Sequence, residues 1–489
     1  MADYKHGIYG EFVASIGESA AQSGTVAVYV GAAPVNLVRG YAKSVNTPIK
    51  LASLDDVHRN CGYSENWAGF DLCEAFKWHF DNAAGNVGPI VAINVLDPAV
   101  HKKAQQTTAA LSFYNGRATI QSDTIILDTL VLAEKVEGTD FSIDYDFTRG
   151  QVVINSLGDI PISGSVNATY SEVDPAAIDA EDIIGGVTTS GVYTGLGCVS
   201  LIYQELNLVP NLILCPGWSE KPAVYKAMVA AGTKINGRWN AGAYADIPVL
   251  DGATKIDTID AAIAWAETNA YNNERTKVWW PKGKDADGHI CHAAVSAAWR
   301  KMLVDAANGG VPMESPSNKA IPIVKQYFGE GSLNRGFDQQ QGNRLNAVGI
   351  STIVFWGGQW VLWGPHTAAY KHGTVMDPRV IFDTTISMMM YTLNSFQQEW
   401  ALTIDQPMTR ALADTIKNRE QEKADALAAM GAYIGEPVVD FKESDNSTAE
   451  LVEGNFVWGF KGTTTPPFKS GTLKVGYTTA GFDTYFGEV

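Results

Sequence analysis

The densest group of possible metal ligands is residues 289–292, His-Ile-Cys-His, which follow Asp285 and Asp287. Two histidines and a thiol within four positions match none of the usual zinc spacings, and no second ligand cluster lies within sequence reach. The two aspartates before Gly288 are similar to the beginning of a calcium loop, but the later ligand positions of such a loop are missing. We therefore expect a polar turn here and no metal.

Motifs for nucleotide binding and nucleophilic catalysis are also missing. Gly191, Gly195 and Gly197 are spaced G-x-x-x-G-x-G rather than G-x-G-x-x-G, and no G-x-x-x-x-G-K-[ST] occurs. Residues 217–219, Gly-Trp-Ser, lack the second glycine of a nucleophile elbow. Thirteen tryptophans could line a sugar-binding face, but most lie in apolar runs that favour burial. We expect no enzyme activity, no catalytic residue and no cofactor.

Length and composition restrict the class of protein. A chain of 489 residues is too long for one hydrophobic core and suggests two to four domains. Its formal net charge is −17 and it has no basic block, so direct nucleic-acid binding is not expected. The polar first residues do not resemble a signal peptide, and no apolar run reaches the roughly 20 residues that span a bilayer. The five scattered cysteines are expected to be reduced thiols.

The elements that would position any site begin with an α/β layer in residues 25–107. The apolar runs 25–31 and 89–95 are typical of buried strands, and residues 67–82 between them have one apolar helical face. The order strand, helix, strand favours a layered α/β unit. This pattern resumes in residues 177–343. There the predicted strands are 211–217 and 277–280, and the predicted helices are 199–206, 221–235, 258–270 and 293–307.

Between these two parts, residues 108–176 have strand patterns and no convincing helix. Residues 141–147 alternate between apolar and polar side chains, and further strands are predicted at 151–155 and 166–170. Turn residues separate these strands. We interpret this segment as an antiparallel β-sandwich inserted into the α/β unit.

Two helices and several strands are predicted nearer the C-terminus. Apolar residues of the first helix, 382–400, are spaced 4, 3, 4, 3, 4 from Phe382 to Trp400. The second helix covers residues 407–430, with Asp405 as its expected N-cap. Its expected apolar stripe consists of Leu412, Ile416, Leu427 and Met430.

Arg419 and Lys423 fall on that same stripe, where a helix packed only on its own core would avoid charge. Two interpretations remain open. The long side chains could reach solvent at the edge of the stripe, or they could meet an acidic partner.

Both ends of the chain are predicted to be strands with exposed edges. Residues 7–13 have a strand pattern but no partner at hairpin distance, so this strand must pair with something distant, such as another chain. Residues 455–460 and 471–477 predict two more strands, and an apolar tail follows at 482–486.

A hairpin at residues 353–363 is the strongest local pattern. Two apolar strands flank a Gly-Gly turn, and Gly364-Pro365 ends the second strand. Because Trp356, Trp360 and Trp363 lie within eight positions, we expect the hairpin to lie in the middle of a packed core.

The second strand and the residues after it, 361–367 (VLWGPHT), are similar to the strand and W-G-x-x-T element that opens the C-terminal domain of contractile phage tail sheath proteins. Other segments match the family in the same order, and together they cover most of the chain. They are residues 74–80 with the Gly turn and strand that follow, the strand and Pro-Gly at 211–217 with the helix that follows them, SPSN at 315–318, and RLNAVGI at 344–350. The sequence thus resembles the contractile phage tail sheath family.

The resemblance implies a structural subunit that stacks in rings around an inner tail tube and contracts to drive the tube through a host envelope. It implies contacts with neighbouring copies, the tube protein, and baseplate and tail terminator proteins, in a virion tail assembled in the host cytoplasm. No membrane insertion is expected. The fold class is then multidomain α/β and α+β, with a C-terminal sheath domain at 344–470 and terminal arms at 1–24 and 471–489.

The resemblance also implies that each terminal arm adds a strand to a sheet of a neighbouring subunit. The arm residues expected to pair are Ile8, Tyr9, Phe12, Val13, Leu473, Val475 and Tyr477. Our hypothesis for the tube contact is the helix that carries Lys417, Arg419 and Lys423.

Two alternative interpretations assign the chain to other classes of protein. One is a carbohydrate-active or other hydrolase with an ancillary β-domain, which would need a cleft with converging carboxylates. The other is a self-assembling shell protein such as a surface layer or capsid-like lattice.

Overall fold

The computed structural model describes residues 21–158 and 164–485. It is a mixed α/β structure with several sheets. The described strands are β1 Ala21–Gly31, β2 Pro48–Leu51, β3 Val87–Asn94, β4 Thr107–Phe113, β5 Arg117–Gln121, β6 Val131–Leu132, β7 Phe141–Asp146, β8 Gln151–Ser156, β9 Gly164–Tyr170, β10 Gly186–Val187, β11 Tyr193–Thr194, β12 Leu212–Leu214, β13 Gly242–Asp246, β14 Leu250–Asp251, β15 Thr254–Lys255, β16 Thr276–Trp279, β17 Lys282–Lys284, β18 Ile290–Cys291, β19 Lys325–Tyr327, β20 Ile350–Trp356, β21 Gln359–Trp363, β22 Tyr433–Asp440 and β23 Gly459–Thr464.

The described α-helices are α1 Leu54–Asn60, α2 Leu72–Phe80, α3 Ala180–Ile184, α4 Ile202–Leu206, α5 Pro222–Ala231, α6 Ile259–Thr268, α7 Ala293–Ala307, α8 Gln339–Asn346, α9 Asp383–Glu399, α10 Arg410–Ala429 and α11 Thr448–Val452. Several predicted helices are shorter in the structure, whereas α7 has the predicted bounds. None of the described helices is both long and apolar enough to cross a bilayer.

An eight-stranded sheet forms the main core, in the order β2-β3-β1-β12-β13-β16-β20-β21. The six inner strands are parallel, and β2 and β21 are antiparallel edges. Strands β12, β13 and β16 are buried along their whole length. The inner strands of a parallel sheet are rich in apolar residues, because helices cover both faces of the sheet. The chain first extends the sheet from β1 to β3 and later adds β12 on the other side of β1.

The hairpin β20–β21 lies at one edge of this sheet, not in the middle of a core. Gly357 and Gly358 both have positive φ, 60° and 85°, as a two-residue hairpin turn requires. Trp356 is 46% exposed, and Trp360 and Trp363 are only partly buried. The prediction that this hairpin and its three tryptophans lie in the middle of a packed core was therefore wrong, because the two strands extend beyond the sheet to which they are attached.

Residues 107–170 form two three-stranded antiparallel sheets, β4-β9-β6 and β5-β8-β7. Apolar side chains from both sheets share one cluster that includes Leu111, Phe141 and Ile154. The main sheet crosses the predicted domain boundary at residues 343–344, because β20 pairs with β16. The division of the chain into domains stays a prediction.

Helix α9 has nearly the predicted bounds, but its predicted apolar stripe is not the buried face. Leu393 is 53% exposed, whereas Asp383, Met388 and Asn394 are buried. The reason is that polar anchors attach the helix. The Asn394 Nδ2 donates to the Asn240 carbonyl at 3.1 Å, and Asp383 forms an ion pair.

That ion pair is deep in the protein. The Lys277 Nζ lies 2.6 Å from Asp383 Oδ2, with both side chains less than a tenth exposed. The Ser315 hydroxyl also donates to this carboxylate, at 3.2 Å. Burial lowers the pKa of Lys277, although the neighbouring Asp383 acts in the opposite direction. The pair fixes the beginning of α9 to β16.

All five cysteines are buried and unpaired, so the expected free thiols are present. Burial raises the pKa of Cys61 to about 12. A thiol that stays protonated is a poor nucleophile.

We predict that Asp383→Asn destabilises the protein by about 3–5 kcal/mol, because it leaves the Lys277 ammonium buried without a counter-charge. The double variant Lys277→Met/Asp383→Leu is expected to be close to the wild type, since it removes both charges. Chemical denaturation followed by circular dichroism measures the difference. Asp414→Asn breaks the exposed pair with Arg410 and serves as control, with an expected loss of at most about 1 kcal/mol. Equal losses for Asp383→Asn and Asp414→Asn would contradict the prediction.

Candidate assembly interface

The segment that follows β23 has no helix or strand from residue 465 to residue 479. Leu473, Val475 and Tyr477 are 87%, 86% and 83% exposed. The strand predicted at residues 471–477 is therefore not formed within the single chain, because no neighbouring strand edge reaches it. A β-branched and aromatic segment of this kind satisfies its backbone and its side chains only by pairing elsewhere.

The N-terminal half of the predicted interface, with Ile8, Tyr9, Phe12 and Val13, lies outside the described residues.

Strands β22 and β23 form a separate two-stranded antiparallel sheet, and among the described residues these strands pair only with each other. Tyr433 and Val439 are buried, whereas Ile434 and Val438 are half exposed. The register shifts between Ile434 and Val438. Pro437 lies in this irregular stretch, where the lack of an N–H is tolerated. Sequence analysis missed β22, because its glycine and proline were interpreted only as the end of the preceding helix.

The two outer edges of this small sheet differ. On β22, Gln421 of α10 accepts from the Val439 N–H at 2.8 Å and donates to the Pro437 carbonyl at 2.8 Å. On β23, no backbone partner beyond β22 occurs in the described part of the chain. The edge of β23 is thus the one open to an added strand.

Exposed large apolar side chains concentrate in this part of the protein. More than half of those found among the described residues follow residue 390, although that part is a minor fraction of the chain. They are Leu393, Leu402, Ile404, Met430, Ile434, Val438, Leu451, Val452, Val457, Phe460, Phe468, Leu473, Val475, Tyr477, Phe482 and Tyr485. Apolar surface of this extent marks an interaction site.

Helix α10 begins later than predicted, with Thr409 as its N-cap, and Asp405 lies in a turn at φ 66°. Its buried residues are Ala413, Ile416, Glu420 and Ala424. Three members of the predicted stripe are not buried, since Leu412 and Leu427 are only partly covered and Met430 is 47% exposed.

The cations of α10 lie beside the buried face and pair with acids of the same chain. Arg419 is 3.3 Å from Glu399 and 3.2 Å from Glu422. Lys423 pairs with Glu399, and with Glu420 at 2.8 Å. The hydrogen bonds that Arg419 donates to Glu422 and Glu399 raise the pKa of Arg419. A partner carboxylate would have to compete with these acids.

Lys417 differs from the other two cations. It has no ion pair with any residue in the described ranges.

A buried charge cluster lies at the carboxyl ends of the parallel strands, where α/β enzymes bind ligands. It contains Asp71, Glu74, Glu220, Asp246, Lys282 and His292. The His292 Nδ1 is 2.6 Å from Glu74 Oε2, and Lys282 Nζ is 2.7 Å from Glu220 Oε1. Glu74 is 1% exposed. Two of the four carboxyl groups thus pair with the two cations of the cluster inside the protein.

The electrostatics of the cluster follow from burial and these pairs. Burial acts to raise the pKa of Glu220, but Lys282 and His292 outweigh it and lower the pKa to about 2. For His292, burial and Lys282 act to lower the pKa, but Glu74 and Glu220 raise it to about 10. Both groups are therefore charged at neutral pH.

Residues 285–289, which hold three of the possible metal ligands, form a polar turn. Ligand atoms of Asp285, Asp287 and His289 lie within 4.8 Å of one another. Asp285 accepts from the His289 N–H at 2.8 Å, and the His289 ring stacks on Trp67 at 4.3 Å. His292 is separate from this turn and belongs to the buried charge cluster. These contacts stabilise a loop, and exposed carboxylates of this kind are common without a metal.

No family model matches the chain. A curated relative does: over 465 residues the chain is 27% identical to the tail sheath protein of Burkholderia phage BcepMu, covering 92% of this chain and 91% of the relative. The chain is thus similar to a phage tail sheath protein over nearly its whole length.

Solved structures have the same fold. A chain in the anti-feeding prophage baseplate matches 98% of this chain with a TM-score of 0.55 and 12% identity, over 100% of its own length. A chain in the contracted sheath complex of the PVC extracellular contractile injection system matches 98%, with a TM-score of 0.53 and 11% identity, over 99% of its own length.

We predict that trypsin first cuts the isolated protein, within its described residues, at Lys469 and Lys474. Both lie in the exposed segment without helix or strand, where a protease needs no prior unfolding. Mass spectrometry of the early fragments identifies the sites. Lys474→Gln is the matched variant, which should lose one early cut and keep the other. An earlier cut within the main sheet would show that the core opens more readily than this segment.

Proposed function

We propose that the protein is the structural subunit of a contractile tail sheath. Many copies polymerise around an inner tail tube, and contraction drives the tube through the host envelope. The observation that carries this proposal is similarity to a phage tail sheath protein over nearly the whole length. It is supported by an exposed apolar segment and an open strand edge on the same chain.

In this proposal the subunits are joined by strand exchange. A segment around Leu473, Val475 and Tyr477 leaves its own chain and pairs with the edge of β23 on a neighbour. The edge of β22 is the poorer acceptor, because Gln421 already binds its backbone and Pro437 has no N–H. An N-terminal arm with Ile8, Tyr9, Phe12 and Val13 pairs in the same way with another copy.

The energies are sufficient for a lasting link. About five ladder hydrogen bonds at a net 0.5–1.5 kcal/mol each contribute a few kcal/mol per arm. Each apolar side chain that becomes fully buried adds about 1.5–3 kcal/mol. Flexible links of this strength persist while the globular parts of neighbouring subunits change their lateral contacts.

The domain organisation that we propose follows from the same role. Residues 25–107 and 177–343 form the core, residues 108–176 an inserted β-sandwich, residues 344–470 the C-terminal sheath domain, and 1–24 and 471–489 the arms. The C-terminal domain then carries the open β23 edge, and together with the C-terminal arm it carries most of the exposed large apolar side chains of the described residues.

We further propose that the tube contact is made by Lys417, Arg419 and Lys423 on α10. Other partners in the particle are the baseplate and tail terminator proteins. The subunit acts in the virion tail after assembly in the host cytoplasm, without enzymatic activity, direct nucleic-acid contact or membrane insertion.

We predict that deletion of residues 471–489, or separately of residues 1–20, prevents assembly but leaves the fold intact. Electron microscopy of the purified wild type should show hollow striated cylinders, and each truncated protein should remain as single particles with unchanged circular dichroism. Two point variants separate strand pairing from loss of the tail. Val475→Pro removes a ladder donor and should prevent cylinders, whereas Val475→Thr keeps the strand propensity and should form them. Long cylinders from both truncated proteins would contradict strand exchange.

We predict that the triple charge reversal Lys417→Glu/Arg419→Glu/Lys423→Glu lowers the fraction of purified tubes decorated by sheath at least tenfold at moderate ionic strength, since three attractive pairs become repulsive. The control reverses the exposed Lys43 and Lys234 away from α10 and should decorate normally. Negative-stain microscopy counts the decorated tubes.

Removing the internal competitor tests the same contact in the opposite direction. Glu399→Gln frees Arg419 and Lys423 from one shared acid, so decoration should withstand higher salt than in the wild type. Unchanged decoration by the triple variant would exclude α10 as the tube contact.

A further inference from the structure

Helix α7, which packs against β1 and α2, has no side-chain cap of its own. Carboxylates from two distant elements take that role. Glu74 of α2 accepts from the His292 N–H at 2.5 Å, and Asp246 Oδ1 of β13 accepts from the Ala294 N–H at 3.0 Å. The beginning of α7 therefore depends on two acids that only the folded core brings to it.

The charges around this helix end do not balance. The buried charge cluster holds four carboxyl groups and only two cations. Glu74 and Glu220 pair with His292 and Lys282, which leaves Asp71 and Asp246 without a cation of their own. Two uncompensated carboxylates in a buried site would be costly, so a proton on at least one of them is the cheaper state.

Hydrogen bonds distinguish these two acids. Burial raises the pKa of Asp71 to about 7. Both of its oxygens accept hydrogen bonds, however, from the Ala32 N–H at 3.0 Å and from the Trp218 Nε1–H at 2.6 Å, and these bonds favour its ionised form. Asp246 accepts only at Oδ1, and its buried Oδ2 has no hydrogen-bond partner among the described residues. Asp246 is 1% exposed. A proton on Oδ2 removes the charge and leaves the bond to Ala294 intact.

We propose that Asp246 is held as a neutral carboxylic acid in the folded protein, so that its ionisation as the pH rises lowers the stability of the fold. The groups that act on it are His292 before α7, Glu220 after β12, Lys282 on β17 and, more weakly, Tyr271 after α6. The cations His292 and Lys282 favour ionisation, while Glu220 and burial oppose it.

The sign of the pH dependence follows. Burial, the largest cause, together with Glu220 raises the pKa of Asp246 to about 7 in the folded protein, against an ordinary value of 3.8. The folded state therefore binds one more proton than the unfolded state between these two values. This contribution to stability is complete below the unfolded pKa and is lost as the pH rises through the folded pKa, so stability declines toward neutral pH.

The experiment compares the wild type with Asp246→Asn, which keeps the Oδ1 acceptor and cannot ionise. The ratio of the wild-type to the variant unfolding constant should rise by up to about tenfold per pH unit between about pH 5 and pH 7 and then level off. Denaturant unfolding across this range gives the ratio. Parallel profiles for the two proteins would overturn the proposal.

Infrared spectroscopy tests the proton directly and needs no unfolding. The protonated-carboxyl band of the folded wild type at about pH 6 should be lost in Asp246→Asn and kept in Asp71→Asn. If Asp246→Asn does not fold, the wild-type band is titrated instead, and its amplitude should fall around neutral pH. A band that Asp71→Asn removes, or no band at all, would assign the proton elsewhere and reject the proposal.

Discussion

Backbone hydrogen bonding of the parallel sheet is the constraint on which the rest of this structure depends. Every inner strand must donate and accept on both edges, and both faces must be covered. The chain meets this requirement with strands that are buried along their whole length, such as β13 and β16, and closes the sheet with antiparallel strands at its edges. The tightly closed main sheet contrasts with the small sheet β22–β23, which leaves one edge open.

This contrast explains how one polypeptide can be rigid in one part and dependent on neighbours in another. In the core, buried ion pairs such as Lys277–Asp383 fix helices to strands. Beyond residue 390, apolar side chains remain exposed and the segment after β23 has no partner strand in the described part of the chain. A chain with this distribution of exposed apolar side chains gains burial by assembling, which agrees with its similarity to a tail sheath protein.

Much of the fold could be predicted from local patterns. Period-two alternation identified β7, the further strands predicted at 151–155 and 166–170 correspond to β8 and β9, and the helix predicted at 293–307 has the bounds of α7. The predictions that failed are those that depend on which other elements a helix or strand packs against. The stripe of α9 is not the buried face, because the polar residues Asp383 and Asn394 make its specific contacts. The tryptophans of β20–β21 are half exposed, because sequence spacing does not reveal which strands lie at an edge.

The buried charge cluster was not recognisable in the sequence for the same reason. Glu74, Asp246 and His292 are separated by long stretches of chain and meet only because α2, β13 and α7 converge at one end of the sheet. In many α/β proteins the N–H groups of a helix at this position bind an anionic ligand. Here carboxylates of the chain itself take that position. The chain thus uses the electrostatics of such a position internally, to hold α7 in place.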